Sequence, residues 1–230
     1  MQIAAGVHQY SLPGVNAYLI ETSGGLILVD TGTPMDAKRL ESRLRADGFD
    51  PAHIKFIFLT HGDADHMGLA AHFKRLSQAT VVAHRAEIPL IEGRAKRETG
   101  PSPIAWLIGP AFALLSKTPM LKVTPVTVDR TVVEGDLLPD GWRVIALPGH
   151  TPGQAGLYNP EKKVVLAGDA LANQGGKLSP PPAMLTPDMD AARASIRKLA
   201  GYDFETLGVG HGAAITQDAD AAVSRLADSL

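Results

Sequence analysis

The stretch IKFIFLTHGDADHMG, residues 54–68, joins an apolar run directly to a loop crowded with metal-capable side chains. The run IKFIFLT is short and rich in β-branched and aromatic residues, which predicts a buried strand. The six residues that follow include His61, Asp63, Asp65 and His66. Because a rigid strand end aims the short loop after it, functional side chains often lie at such places. We therefore expect a fold whose strands deliver imidazole and carboxylate groups to one edge.

Three more ligand-type residues stand where a predicted strand meets a turn. His150 lies in PGHTPG after the strand WRVIAL, Asp169 ends the segment KKVVLAGD, and His211 follows the strand TLGVG. Nearby glycine or proline lets each backbone turn sharply and approach an ion closely. The seven side chains exceed the four ligands that one tetrahedral zinc ion takes. They suit two metal ions about 3.5–4 Å apart that share a bridging carboxylate.

The other patterns predict two similar halves. NAYLIE and GLILVD read as strands before the helical stretch MDAKRLESRLRADG, and GLAAHFKRLS and TVVAH then predict a helix and a strand. In the second half, GLYN and KKVVLAGD precede the helix MDAARASIRKLA, the strand TLGVG and a helix in ITQDADAAVSRLADSL. Each half has an apolar strand that ends in aspartate, at Asp30 and Asp169. Two facing sheets with helices outside bury both apolar sets, so we predict an α/β (α+β) fold, an αββα sandwich of two pseudo-duplicated halves.

Composition narrows the chemistry and the partners. The chain has no cysteine, which excludes thiolate ligands, cysteine nucleophiles and disulfides. A formal net charge of -2 offers no basic face for nucleic acid. The first residues lack a signal-peptide pattern, and the longest apolar run, 103–115, is too short to span a bilayer. We expect a cytoplasmic protein with one domain, residues 1–230, that acts on a small molecule away from membranes.

The motifs THGDADH, PGHTPG, AGDAL and GHG, in this order and preceded by LVDTG, resemble those of the metallo-β-lactamase fold superfamily. The resemblance covers residues 16–211 and implies two metal sites bridged by Asp169. The first site comprises His61, Asp63 and His150. The second site comprises Asp65, His66 and His211. Asp30, in LVDTG, would support the ligand loop without binding metal, since partners of this kind orient ligating histidines.

Asp63 departs from the loop of the superfamily, which is usually written H-x-H-x-D-H. A carboxylate is harder than an imidazole and carries a negative charge, so manganese or iron gains on zinc. The flavodiiron oxygen reductases, distant relatives, place a glutamate here and hold iron. We expect two divalent metal ions, with zinc favoured and manganese or iron as alternatives. Whether Asp63 binds its ion directly or through water is left open.

The resemblance implies a metal-dependent hydrolase in which a metal-bound hydroxide attacks an ester-type carbonyl. Asp65, or a metal-bound water, is the candidate proton carrier, and Asp169 is the bridging carboxylate of the catalytic centre. A lactone or another small ester is the favoured substrate. The alternatives are a β-lactam or thioester hydrolase of the same fold, and an iron-dependent oxidoreductase.

An apolar insertion at about 98–122, which contains PSPIAWLIGPAFALLSKTPML, separates the two halves. Two interpretations are open. The segment forms a helix that packs in the core or against a second copy in a homodimer, or it forms a wall over the metal ions. In the second case Trp106, Leu107 and Phe112 would line the substrate site.

Overall fold

The computed structural model describes residues 1–100 and 122–230, so nearly all of the apolar insertion, with Trp106, Leu107 and Phe112, lies outside the described residues. In the two described ranges the strands are β1 (Gln2–Ala4), β2 (Val7–Ser11), β3 (Asn16–Thr22), β4 (Gly25–Val29), β5 (Ile54–Leu59), β6 (Thr80–His84), β7 (Arg130–Val132), β8 (Arg143–Ala146), β9 (Ala155–Asn159), β10 (Val164–Leu166), β11 (Ala172–Gln174), β12 (Lys177–Ser179), β13 (Thr206–Gly208) and β14 (His211–Gly212). The helices are α1 (Ala37–Ala46), α2 (Ala64–Met67), α3 (Ala70–Ser77), α4 (Ile88–Ile91), α5 (Met189–Leu199) and α6 (Ala219–Asp228). None of these helices has the length and apolar character needed to span a bilayer.

The strands form three sheets with a related order in each half. A seven-stranded sheet runs from β1 to β7, a four-stranded sheet has the order β13-β10-β9-β8, and a three-stranded sheet has the order β12-β11-β14. In the first sheet β1 to β4 are antiparallel and β4 to β7 are parallel. In the second, β8 to β10 are antiparallel and β13 is parallel to β10. Each half therefore contains an antiparallel pair followed by a helical crossover to a parallel strand, through α1 or α5.

Three apolar cores arrange the elements in layers. Ile27 and Leu28 are neighbours in β4 and point to opposite faces, because side chains alternate along a strand. Ile27 packs in the core between the sheets, which also holds Trp142 beside β8. Leu28 packs outside the first sheet with Leu44 of α1, and Ile196 of α5 packs outside the second sheet. The order of layers is helix, sheet, sheet, helix, which confirms the predicted αββα sandwich.

The helices and strands named from the sequence are present within a few residues of their predicted bounds. The patterns do not indicate six strands, of which all but β2 have two or three residues: β1, β2, β7, β11, β12 and β14. The hairpin of β11 and β12 does carry a local signal. Gly175 and Gly176 both have positive φ, 62° and 86°, between the paired residues Gln174 and Lys177. A two-residue turn of this kind requires positive φ at both positions, which glycine adopts readily.

Candidate metal centre

The seven predicted ligand residues converge at one edge of the two sheets. All of them follow strand ends: His61 follows β5, Asp63 precedes α2, Asp65 and His66 lie in α2, His150 follows β8, Asp169 lies in the turn after β10, and His211 begins β14. The ligand atoms of six of them, all but Asp169, form two compact groups, and within each group every atom lies within 4.8 Å of the others. One group is His61, Asp63 and His150, and the other is Asp65, His66 and His211. We call them the first and second triads.

Asp169 lies between the two triads. Its Oδ2 is 3.6 Å from Nε2 of His150 in the first triad and 2.9 Å from Nε2 of His211 in the second. Its Oδ1 is 3.2 Å from Nε2 of His66. The carboxylate therefore contacts both groups, which is the position that a bridging ligand requires.

Asp30 and Thr60 orient the two histidines of the THGDADH loop. Nδ1 of His66 lies 2.7 Å from Oδ2 of Asp30, so this nitrogen donates to the carboxylate. Thr60 donates its hydroxyl proton to Asp30 at 2.7 Å, and its oxygen lies 2.9 Å from Nδ1 of His61 and accepts from it. When these rings are neutral, protons on both Nδ1 atoms leave the Nε2 lone pairs facing the centre. Asp30 thus occupies the supporting position expected from LVDTG.

The other two histidines are oriented in the same sense. Nδ1 of His150 lies 3.4 Å from the hydroxyl oxygen of Thr186, which itself donates to the carbonyl of Pro182 at 2.9 Å. Nδ1 of His211 donates to the carbonyl of Gly14. The loop before His211 is in turn fixed to β3, because Asn16 and Tyr18 both donate to the carbonyl of Val209. All four Nε2 atoms therefore face the centre, where the neutral rings offer their lone pairs to an ion.

The polar atoms of the centre do not fully satisfy one another, and their positions suit a metal ion. Nε2 of His61 and Oδ1 of Asp169 are buried and have no hydrogen-bond partner. Buried polar atoms are normally satisfied, and a convergent group of acceptors is satisfied by a cation. A Cβ at Gly210 would overlap Oδ1 of Asp169 and crowd the ring of His66, so only glycine permits this close approach. Imidazole nitrogen and carboxylate oxygen without thiolate suit zinc, manganese or iron.

Charges within the centre are strongly coupled. Burial lowers the pKa of His66, but the carboxylates of Asp169 and Asp30 outweigh it and raise the pKa well above its usual value. Burial raises the pKa of Asp169, and the neighbouring His66 and His211 bring it well below its ordinary range. Burial raises the pKa of Asp63, but the neighbouring side chains of His150, His61 and Arg97 outweigh it and hold this pKa well below its ordinary range.

Two functional contacts carry no motif in the sequence. The buried carboxylate of Glu87 accepts from the backbone N–H of Gly62 at 2.9 Å and of Gly153 at 2.8 Å, so it ties the THGDADH loop to the PGHTPG turn. Arg97 donates through Nε to Asp63, and its Nη2 lies 3.2 Å from Nε2 of His150. Glu87 follows the strand TVVAH by three residues, which is the only local signal that either residue offers.

An αββα sandwich with a histidine and aspartate cluster at its strand ends defines the class of protein. The chain belongs to the metallo-β-lactamase superfamily, whose family model matches residues 11–211. The predicted superfamily and fold are thereby confirmed.

The similar proteins have names that point to different activities or metals. The chain is similar to the probable metallo-hydrolase YflN of Bacillus subtilis, with 30% identity over 94% of this chain and 87% of that protein. It is similar to TTHA1623, solved in a di-iron-bound form, with 29% identity, a TM-score of 0.72, and coverage of 97% of this chain and 98% of that one. It is also similar to BJP-1, a subclass B3 metallo-β-lactamase of Bradyrhizobium japonicum, with 26% identity, a TM-score of 0.70, and coverage of 100% and 90%.

Proposed function

We propose that this protein is a dinuclear metal-dependent hydrolase that acts on a lactone or another small ester. One observation carries the proposal: four Nε2 lone pairs and three carboxylates converge, and two of the buried atoms have no partner. Divalent ions in such a centre supply Lewis acidity and a water-derived nucleophile at neutral pH. The name of the Bacillus subtilis relative, probable metallo-hydrolase, supports the hydrolytic class.

The residues have distinct roles in this proposal. The first triad would hold one ion and the second triad the other, and Asp169, which contacts both triads, would contribute to both sites. Asp30 and Thr60 keep Nε2 of His61 and His66 directed at the ions. Glu87 holds the two loops that carry His61 and His150 at a constant separation.

Asp65 is the proposed proton carrier because it is the most accessible carboxylate of the centre. Its side chain is 39% exposed, against 19% for Asp63 and 9% for Asp169. Its Oδ2 lies 3.6 Å from Nε2 of His211, so it borders the second triad and the solvent together. A proton released at the centre reaches water through this carboxylate, whereas the buried Asp169 is confined to bridging.

Zinc is the favoured metal, and iron is the second candidate. The oxygen ligand Asp63 shifts the preference of the first triad toward harder ions. The di-iron form of TTHA1623 supports iron as an alternative and keeps an iron-dependent oxidoreductase as the rival function. The similarity to BJP-1 keeps a β-lactam as a rival substrate.

The proposal treats residues 1–230 as one domain that works in the cytoplasm on a small-molecule substrate. A formal net charge of -2 supports a partner other than nucleic acid. A match to the family model that extends over residues 11–211 supports one domain.

Metal analysis followed by a substrate screen tests the proposal. Protein purified without added metal is analysed for zinc, manganese and iron, then assayed with lactone, thioester, β-lactam and phosphoester substrates. We expect ester or lactone hydrolysis that a chelator abolishes and zinc restores. His72→Ala is the matched control, because His72 pairs with Glu41 outside the centre. Iron-loaded protein that hydrolyses none of the four classes would favour the oxidoreductase instead.

A further inference from the structure

Arg97 lies against the first triad. Among residues 1–100 and 122–230 it is the one lysine or arginine that forms an ion pair with a triad residue. Its Nε donates to Oδ1 of Asp63, and its Nη2 lies 3.2 Å from Nε2 of His150 and donates to the carbonyl of Leu185 at 2.8 Å. The side chain is only 22% exposed, so the guanidinium is held at the centre and not in solvent.

Arg97 contacts His150 at Nε2, the atom through which this histidine would bind a metal ion in the first site. The proton of the neutral ring is on Nδ1, because the hydroxyl of Thr186 donates its own proton to Pro182 and accepts from the ring. A guanidinium can only donate, so the contact of Arg97 at 3.2 Å uses the single lone pair of Nε2, although Oδ2 of Asp63 also lies 3.0 Å from this atom. One lone pair cannot accept this hydrogen bond and bind a metal ion at the same time. Metal binding by His150 therefore requires Arg97 to leave Nε2.

The two triads also differ in fixed positive charge, that is, in the lysine or arginine side chains that pair with their carboxylates. The first has one carboxylate, Asp63, and it is paired with Arg97. The second has Asp65 and adjoins both oxygens of Asp169, and in the described ranges neither carboxylate pairs with a lysine or arginine. A fixed positive charge beside the ligands repels an incoming divalent ion, so the electrostatic energy of binding is more favourable at the second triad.

We infer that Arg97 acts as a built-in cation at the first triad, so that the second site takes metal first and the first site fills only when Arg97 leaves His150. The inference rests on the proposed two-metal centre and concerns the order of loading. The opposite role for Arg97, a clamp that holds Asp63 in place for the metal, makes the contrary forecast for the same variants.

Titration calorimetry of the chelator-treated full chain with Zn²⁺ tests the inference, with Co²⁺ absorption as a second readout. Wild type is compared with Arg97→Met and Arg97→Gln, which remove the charge in two ways. The control is Arg94→Met, since Arg94 pairs with Glu92 and contacts no triad residue. We expect two binding steps in wild type and an unchanged first step in every variant. In both Arg97 variants the second step should tighten by at least about tenfold, equivalent to about 1.4 kcal/mol.

Each outcome of the titration either supports or overturns the proposed role of Arg97. A second step that is unchanged or weaker in both Arg97 variants overturns the inference, and weakening assigns the clamp role. A wild type that binds no Zn²⁺ or Co²⁺ overturns the inference together with the proposed centre. Protein that binds two ions but hydrolyses no substrate class contradicts the proposed function alone, because the comparison of second steps still supports or overturns the role of Arg97.

Discussion

Nε2 of His211 lies 2.9 Å from Oδ2 of Asp169, although 42 residues separate the two in the chain. The contact depends on strand pairing, because β14 is parallel to β11 with His211 opposite Ala172. It also depends on Gly210, where a Cβ would overlap the Asp169 carboxylate. Sheet topology therefore brings the second triad to the bridging carboxylate.

Removing one histidine of the second triad should remove mainly one metal ion. We expect close to two ions per chain in wild type under saturating metal and close to one in His211→Ala, because the first triad retains all its ligands. Elemental analysis after gel filtration measures this, with His72→Ala as the control. A wild-type value of one ion would contradict the dinuclear centre.

Asp63→His should shift metal preference toward zinc. The change exchanges a hard oxygen ligand for a nitrogen of intermediate softness and removes one negative charge. Competition between Zn²⁺ and Mn²⁺ at equilibrium measures the preference of each protein. If the two ions compete equally well before and after the change, Asp63 does not ligate directly.

Asp30→Asn should weaken metal binding while leaving the backbone intact. Asp30 has a φ of 55°, which asparagine also tolerates, so the turn persists. The acceptor for both Thr60 and Nδ1 of His66 is compromised, and loss of such a partner typically lowers metal affinity by about 10–100-fold. Metal-binding isotherms give the change. The control is Asp36→Asn, a buried aspartate that bonds to Thr33 away from the centre, and an equal loss there would contradict a specific role for Asp30.

Glu87→Gln should destabilise the protein by about 1–3 kcal/mol, the usual cost of a buried donor left unsatisfied. The carboxylate accepts from Gly62 and Gly153, whereas glutamine has one acceptor oxygen and turns an NH₂ group toward the other N–H. Urea unfolding of the chelator-treated protein measures the loss. In the control, Glu92→Gln, the amide oxygen still accepts from the backbone N–H of Val128 and only the solvent-facing pair with Arg94 is weakened, so the loss should be smaller. Equal losses of stability in the two variants would argue against the role of Glu87 in tying the THGDADH loop to the PGHTPG turn.

Metal affinity should rise with pH near neutrality. Burial lowers the pKa of His66 but Asp169 and Asp30 raise it well above its usual value, so the chelator-treated protein carries a proton that an ion must displace. In that protein, the stability due to protonated His66 is fully present below a pH of about 6.5 and is lost as the pH rises through the raised folded pKa. Calorimetry in buffers of different ionisation enthalpy counts the released protons. Binding without proton release between neutrality and mild acid would contradict this assignment.

Much of the fold was predictable because its signals are local. Apolar runs such as those around Ile27 and Phe58 mark buried strands, and an amphipathic pattern marks α5. The strands that the patterns missed are short and depend on their partners. His211, for example, is in a strand only because β14 pairs with β11.

The residue types of the centre could also be predicted from the sequence. Metal binding needs particular side chains, and the sequence displays them beside glycine at strand ends. The seven side chains that the fold brings together, and the contact of Asp30 with His66, could therefore be predicted before any distance was known.

Tertiary structure alone decided how those residues are held. Glu87 joins Gly62 to Gly153, which lie 91 positions apart, and its contacts exist only when two loops meet. Arg97 lies 34 positions from Asp63 and 53 from His150, and no local pattern in the sequence indicates which carboxylate an arginine side chain contacts. Whether a side chain can bind a metal ion is a property of the single residue, so the sequence determined which side chains form the centre. Which partner pairs with each lone pair and charge depends on residues that meet only in the folded chain, so the tertiary structure decided that Arg97 pairs with Asp63.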